Sequence, residues 1–235
     1  MQLERHFFSV AACAITLLGL STSASATITG TGCVMTGLAA QTAPSSVAAF
    51  NSACAGTTTG ITPLTGLYTF SAPDTLSLNL PGNAPVNTGA AMIASLGGTL
   101  LTGAAAAAFS PATSGAAGVG GDSTMWDLHE TNIVPGTYTV SLTHDDGIVL
   151  LVGGVVVLSS PNPTTAITNT ATFTVTAGQT IDLLYDQCCS YPAVLQGTMP
   201  PEITSAVPEP AGVVLLGTLI LGVGTLVRRK RSSLN

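Results

Sequence analysis

From Gly136 onward the chain is a succession of short segments in which polar and apolar residues alternate. Residues 137–143 (Thr-Tyr-Thr-Val-Ser-Leu-Thr) and 172–175 (Thr-Phe-Thr-Val) change character at every position. This period of two is typical of a strand with one buried face. Further strands are predicted over residues 148–152, 155–158, 180–185 and 193–195. Short strands separated by glycine and proline predict an all-β fold, an antiparallel β-sandwich or barrel.

Three polar or glycine-rich sequences separate these strands. Residues 153–154 (Gly-Gly) predict a tight hairpin between two apolar strands. Residues 177–179 (Ala-Gly-Gln) predict the turn after the second alternating segment. Residues 144–147 (His-Asp-Asp-Gly) interrupt the first alternating segment and have the composition of a turn.

The N-terminal half has a weaker pattern, because it is rich in Gly, Ala, Ser and Thr and holds few aromatic residues. One short helix is predicted over Ser45–Ala55, with Ser45 or Ser46 as its N-cap. We therefore predict an N-terminal extension over residues 27–65, followed by the sandwich over residues 66–200.

Basic residues are confined to the two ends of the chain. Of five Lys and Arg, one is Arg5 and the others lie within residues 228–231, so residues 27–206 contain none. Nine of the eleven acidic residues lie in that central body, since Glu4 and Glu209 fall outside it. Binding to nucleic acid or to anionic lipid requires Lys or Arg, so both are excluded for the body. A phosphate-transfer enzyme without Lys or Arg would be very unusual.

Residues 1–26 have the features of a secretory signal peptide. Arg5 lies in a short polar start, residues 7–20 form an apolar run, and Ala24 and Ala26 supply the small-residue cleavage pattern. The alternative is an ordinary buried helix. A signal peptide predicts that the body is exported.

A second uncharged segment, residues 211–227, lies near the C-terminus. At about 1.5 Å per residue it reaches about 25 Å, the short limit for a membrane-spanning helix. The basic cluster that follows should remain in the cytoplasm, which leaves the body outside.

The order of these C-terminal features resembles the PEP-CTERM sorting signal of Gram-negative bacteria, here over residues 207–231. The motif and the basic cluster that carry the resemblance are Pro208, Glu209, Pro210, Arg228, Arg229, Lys230 and Arg231. It implies that the protein is held transiently in the inner membrane by its C-terminal helix. An exosortase, a membrane protease or transpeptidase, would then remove the span and deliver the protein to the cell surface or the exterior. A permanent single-span anchor is the alternative.

Four cysteines remain after removal of the signal peptide: Cys33, Cys54, Cys188 and Cys189. An even number in an exported protein predicts two disulfides, for which three connectivities exist. We favour a cross-tie between the N-terminal and C-terminal pairs, because loops of well over 100 residues would contribute roughly 4–5 kcal/mol. The alternative joins Cys33 to Cys54 and the two neighbouring cysteines to each other.

The sequence around the Asp-Asp-Gly turn resembles the PA14 and GLEYA family of extracellular β-sandwich domains. Residues 138–147 are similar to the family's strand and Asp-Asp-Gly loop, residues 148–154 to its next strand and hairpin, and residues 173–185 to a later strand pair with an Ala-Gly turn. The resemblance implies an antiparallel β-sandwich. In lectin-like members two adjacent aspartates hold a Ca²⁺ that coordinates sugar hydroxyls, and this role would fall on Asp145 and Asp146.

Two carboxylates are too few to complete a calcium site. Further ligands would come from loop carbonyls, from water, or from Asp122, Asp127 or Asp186. Trp126, the only tryptophan, is the candidate for stacking on a sugar ring beside Asp127, with burial in the core as the alternative. The Asp-Asp-Gly sequence is alternatively a structural turn.

We therefore expect an exported surface or matrix protein with a calcium-dependent carbohydrate-binding module. Its expected partners are an exosortase, an extracellular polysaccharide or glycan, and the membrane before processing. The alternative is a structural matrix protein without a specific ligand. We do not expect an enzyme: a Gly-x-Ser-x-Gly elbow is absent, His129-Glu130 lacks the second histidine of a zinc protease, and Asp127 with Glu130 has no spacing that favours glycoside hydrolysis.

Overall fold

The structure is a computed structural model, and it describes residues 27–37, 42–80, 87–103, 108–109, 122–188 and 192–202. The predicted signal peptide, with Ala24 and Ala26, and the predicted sorting signal at residues 207–231 lie outside the described residues. Within those residues no helix is both long and apolar enough to cross a membrane.

Strands account for most of the described residues. They are β1 (Thr27–Thr36), β2 (Thr62–Pro63), β3 (Tyr68–Pro73), β4 (Thr75–Leu80), β5 (Asn87–Thr88), β6 (Thr99–Thr102), β7 (Ala108–Phe109), β8 (Asp122–Glu130), β9 (Gly136–Asp145), β10 (Gly147–Val152), β11 (Val155–Ser160), β12 (Ile167–Val175), β13 (Ile181–Gln187) and β14 (Ala193–Thr198). The helices are α1 (Val47–Cys54) and α2 (Gly89–Ser95).

Two antiparallel sheets form the body of the fold. The eight-stranded sheet has the order β11-β10-β13-β8-β1-β3-β6, with β2 paired to β1, and the four-stranded sheet has the order β12-β9-β14-β4. Strands β5 and β7 form a separate pair. One apolar cluster combines residues of both sheets, such as Leu128 and Leu150 from the first and Leu78 and Leu142 from the second. The prediction of an all-β antiparallel sandwich is confirmed.

Four aromatic residues of the eight-stranded sheet occupy the centre of this core. Trp126 is fully buried, with ring centroids 5.0 Å from Phe70 and 5.7 Å from Tyr185. Its indole Nε1–H donates a hydrogen bond of 2.8 Å to the Tyr68 hydroxyl. The interpretation of Trp126 as a sugar-stacking residue is therefore wrong, because the ring does not reach solvent.

Strand β1 lies between β8 and β3, inside the eight-stranded sheet. The sequence pattern led us to expect an N-terminal extension over residues 27–65. Instead, this segment contributes a strand to the interior of the eight-stranded sheet. Two glycines explain the missing pattern: a Cβ atom at Gly30 would lie 2.2 Å from the Phe70 ring, and one at Gly32 would lie 2.6 Å from the rings of Tyr68 and Trp126. Glycine is required where these rings pack on the backbone, so the usual alternation is lost.

Helix α1 covers the outer face of the eight-stranded sheet. Its predicted cap is confirmed at Ser46, whose hydroxyl accepts a hydrogen bond of 3.2 Å from the Ala49 amide. Phe50 of α1 packs with Met125 and Leu184 in a second apolar cluster. This cover explains why β10 and β13 are buried on both faces.

A disulfide between Cys33 and Cys54 joins β1 to the last residue of α1, with Cα atoms 5.7 Å apart. The favoured cross-tie to the C-terminal cysteines is therefore wrong, because packing of α1 on the sheet places these two residues together. Cys188 is also disulfide-bonded, and Cys189 lies outside the described residues.

Replacing Cys33 and Cys54 together with alanine should lower the free energy of unfolding by about 3 kcal/mol. The disulfide closes a segment with a sequence separation of 21, and the chain-entropy model assigns that amount to a loop of this size. Urea unfolding of the parent and the double variant, both produced in an oxidising compartment, measures the difference. An unchanged midpoint and slope would contradict the prediction.

The connection from β9 to β10 differs from the predicted four-residue turn. Strand β9 continues to Asp145 and β10 begins at Gly147, so Asp146 is the one residue between them. The two strands belong to different sheets, and the chain crosses between the sheets at this point. By contrast, the predicted hairpin between β10 and β11 is confirmed, since Gly153 and Gly154 have φ of 55° and 80°, as a type I′ turn requires.

Hydroxyl side chains cover the outer face of β9 and β12. Their cross-strand oxygen–oxygen pairs are Thr137–Thr174 at 3.0 Å, Thr139–Thr172 at 2.8 Å, Ser141–Thr170 at 3.1 Å and Thr143–Thr168 at 2.7 Å. We refer to these eight residues as the hydroxyl ladder. Pairs of this kind contribute roughly 0.2–1 kcal/mol each to a sheet.

Candidate functional site

Asp145 and Asp146 lie at one end of the sandwich, where the chain passes from the four-stranded to the eight-stranded sheet. The peptide bond between them is cis. Each residue is only 5% exposed. The pair therefore does not project into solvent but is enclosed by neighbouring segments of the chain.

Three segments converge on the Asp146 carboxylate. Oδ1 accepts a hydrogen bond of 3.2 Å from the Thr164 amide, in the connection between β11 and β12. Oδ2 accepts one of 2.8 Å from the Cys188 amide, directly after β13, and a longer one of 3.5 Å from Gln187 Nε2. Both oxygens are thus oriented by groups that are distant in the sequence.

The backbone of the pair is also held. Tyr185 Oη lies 2.7 Å from the carbonyl oxygen of Asp145 and the same distance from Gln187 Oε1. His144 Nδ1 lies 2.5 Å from the carbonyl oxygen of Asp146, and its Nε2 lies 3.1 Å from Asn169 Oδ1. These contacts connect the pair to β12 and β13, so its geometry is fixed by the fold.

Burial makes ionisation of both carboxyl groups less favourable. It raises the pKa of Asp146 to about 7, an effect that the Cys188 amide opposes and the neighbouring charge of Asp145 reinforces. Burial also raises the pKa of Asp145, against the hydrogen bond with Asp146 and the proximity of His144. A cation beside the pair would compete with protons for the same oxygens.

The pair has a third carboxyl group as a neighbour. Asp186 is fully buried, and neither of its oxygens has a hydrogen-bond partner in the described part of the chain. Burial raises the pKa of Asp186 well above its usual value, and the charge of Asp146 raises it further. Because residues 27–206 hold no Lys or Arg, the described sandwich offers these groups no basic partner except histidine.

The donor set fits a hard cation such as Ca²⁺, which binds carboxylate, carbonyl and amide oxygens. Asp145 and Asp146 would supply two carboxylate groups, whereas Asp186, although buried nearby, does not complete a metal-binding group with them among the described residues. No group of three His, Cys, Asp or Glu residues within the described ranges is close enough to hold a metal. The remaining ligands would therefore be neutral oxygens.

The other predicted ligands do not join this pair. Asp127 is 7% exposed, and its electrostatic neighbours are Asp182 and His129, on the face of the sheet that carries α1. Burial and the charge of Asp182, opposed in part by His129, raise its pKa to about 6. The side chain of Asp122 lies outside the described part. Asp127 is therefore not a ligand of a cation at Asp145 and Asp146.

The sequence patterns did not predict that most acidic residues of the described body are buried. Six are buried, namely Asp127, Glu130, Asp145, Asp146, Asp182 and Asp186, and Asp74 and Glu202 are half-buried. His129 Nδ1 lies 2.5 Å from Asp182 Oδ1, within hydrogen-bond distance. The sequence did contain one indication of unusual acidic residues, namely nine acids in a body without Lys or Arg. Acids without a basic partner must be protonated, hydrated or bound to a cation.

No family model matches the chain, and no curated protein matches it. Among solved structures, the PA14 sugar-binding domain from an RTX adhesin aligns with a TM-score of 0.46 and 17% identity, over 76% of this chain and 99% of that one. The PA14 domain of the MpAFP antifreeze protein aligns with a TM-score of 0.42 and 18% identity, over 79% and 89%. At such TM-scores the properties of the site rest on its own geometry.

Proposed function

We propose that this chain is an exported surface or matrix protein whose sandwich binds carbohydrate with the help of a Ca²⁺ at Asp145 and Asp146. The observation that carries the proposal is the enclosed carboxyl pair, oriented by the Thr164 and Cys188 amides. It lies in a body that has no Lys or Arg to neutralise it. A divalent cation would neutralise the pair and satisfy its free lone pairs.

The residues around the pair have defined tasks under this proposal. Asp145 and Asp146 would hold the ion, which when bound supplies coordination positions for sugar hydroxyls. Tyr185 and His144 fix the backbone of the pair, and the two amides fix the Asp146 carboxylate. Such prior orientation lowers the entropic cost of binding.

Export and sorting are part of the proposal. The signal peptide at residues 1–26 and the Pro-Glu-Pro signal at residues 207–231 support delivery through an exosortase to the surface of a Gram-negative cell. The disulfide between Cys33 and Cys54 is typical of proteins in oxidising compartments.

Calcium titration followed by thermal melting tests the function. The parent should show a saturable rise in melting temperature, since a ligand at about 100 times its Kd stabilises the folded state by about 2.7 kcal/mol. The double variant Asp145→Asn, Asp146→Asn should show no rise. EDTA should abolish binding of carbohydrate to the parent, and the double variant should not bind carbohydrate with or without EDTA. Asp127→Asn is the matched control, because it alters a buried acid that lies away from the pair and should leave the titration unchanged.

A parent that is indifferent to calcium up to millimolar concentrations would overturn the proposal and leave the Asp-Asp-Gly sequence as a structural turn. A second function would then gain support, that of a structural matrix component with no specific ligand. The observation that favours it is the exposed hydroxyl ladder in a surface whose described carboxylates are all buried or half-buried. Such a surface is hydrated but nearly uncharged.

A further inference from the structure

We propose that the hydroxyl ladder on the four-stranded sheet is the docking surface for a neutral, extended polysaccharide, which runs along β9 and β12 toward Asp145 and Asp146. The proposal names the ligand class for the function proposed above and rests on it. It assigns binding to a sheet face as well as to the end of the sandwich.

The first argument is the charge of this face. The remaining outward positions of the four-stranded sheet are Thr75, Ser77, Asn79, Val194, Gln196 and Thr198. Neither these positions nor the ladder contains a charged or aromatic side chain. An anionic polymer would find no Lys or Arg here and a cationic one no exposed carboxylate, so a neutral polymer is the complementary ligand.

The second argument is the arrangement of the hydroxyl groups. Seven of the eight ladder side chains are exposed, and Thr143 is half-buried. A hydroxyl group has one donor and two acceptor sites, and each pair uses only one donor and one acceptor internally. Successive pairs are two residues apart, about 6.7 Å, so the ladder presents free donors and acceptors over about 20 Å.

The third argument is continuity with the carboxyl pair. In the alternation of β9 the position that follows Thr143 on this face is Asp145, which pairs with Val194 of β14. On the neighbouring strand the ladder ends at Thr168, and the amide of Ala166 just before it hydrogen-bonds the Asp145 carboxylate. A polysaccharide lying along the ladder would therefore end beside Asp145, the residue proposed to hold the cation.

Affinity electrophoresis through gels containing dextran, mannan or alginate tests the surface. The protein used is residues 27–235 in a sugar-free detergent with calcium. We expect a neutral polysaccharide to retard the parent and the anionic alginate to leave it unaffected. The double variant Thr139→Val, Thr172→Val keeps the shape of the central pair and its preference for a strand. It should weaken binding about tenfold, as expected for two lost hydrogen bonds.

Two further variants separate recognition from stability. Thr69→Val with Thr102→Val removes a comparable exposed pair on the eight-stranded sheet, 2.7 Å apart, and should bind as the parent does. Thr139→Ser with Thr172→Ser keeps both hydroxyl groups and should retain binding. The calcium midpoint of all three should equal that of the parent.

Each outcome distinguishes the surface from the cation site. Calcium-dependent binding that the valine variant retains would overturn the docking surface and leave the proposed function. Calcium-independent binding that the valine variant loses would support the surface and overturn the role of calcium. Preference for alginate, or no retardation by dextran and mannan, would overturn the surface as a neutral-polysaccharide site.

Discussion

In the presence of EDTA the sandwich should be more stable at pH 5 than at pH 8, the reverse of ordinary acid denaturation. Glu130 is the principal cause. It is fully buried, and neither of its carboxyl oxygens has a hydrogen-bond partner among the described residues. Burial, together with the nearby charges of Glu202 and Asp74, raises its pKa to about 8. The folded protein therefore retains a proton that the unfolded chain releases near the ordinary pKa of 4.5.

The sign follows from this difference in bound protons. Below pH 4.5 Glu130 is protonated in both the folded and the unfolded state. Its ionisation then does not favour unfolding, and its pH-dependent contribution to the free energy of unfolding is at its maximum. Between pH 4.5 and about 8 only the folded state holds the proton, so each pH unit lowers the free energy of unfolding by roughly 1.4 kcal/mol. The raised pKa of Asp127 and of Asp146 act in the same direction.

Urea unfolding between pH 5 and 8 measures the effect, and two variants assign it. Glu130→Gln is neutral at every pH and should remove the largest part of the slope. Glu202→Gln should raise stability at pH 8, because it removes the first of the two charges that act on Glu130. Stability that rises from pH 5 to pH 8 in the parent, or an unchanged slope in Glu130→Gln, would show that Glu130 is ionised in the folded protein.

Replacing Trp126 with alanine should destabilise the fold by about 3–5 kcal/mol, the usual cost of removing a large core aromatic. The ring fills the space between Phe70 and Tyr185. Its N–H satisfies the hydroxyl group of Tyr68, which is itself fully buried. The substitution leaves both a cavity and a buried hydroxyl group without its donor. Thermal melting should show a decrease of about 10 °C.

Trp126→Phe separates packing from sugar recognition. It keeps an aromatic ring but loses the N–H donor, so stability should fall less than in the alanine variant. The fraction that remains folded should bind carbohydrate as the parent does, because Trp126 is sealed from solvent. A phenylalanine variant with unchanged stability and abolished binding would instead support the original interpretation of Trp126 as a sugar-stacking residue.

The predictability of the fold differed between the two halves of the chain. Strands β9 to β14 were predicted from alternation, because each buries side chains at every second position or forms a short apolar run next to a turn. Strand β1 was missed. Its Gly30 and Gly32 leave room for aromatic rings that come from Phe70, Tyr68 and Trp126, and this requirement is invisible without the neighbouring strands.

The sequence by itself determined the class of the fold, the position of the Asp-Asp-Gly connection and the absence of Lys and Arg from the body. These are local or compositional properties. The tertiary structure decided which cysteine pairs with Cys33, that Trp126 is core, and that the carboxyl pair is enclosed. Each depends on contacts between distant residues: Asp146 is held by amides 18 and 42 positions away. Because such contacts form only when the two sheets pack together, no local pattern records them.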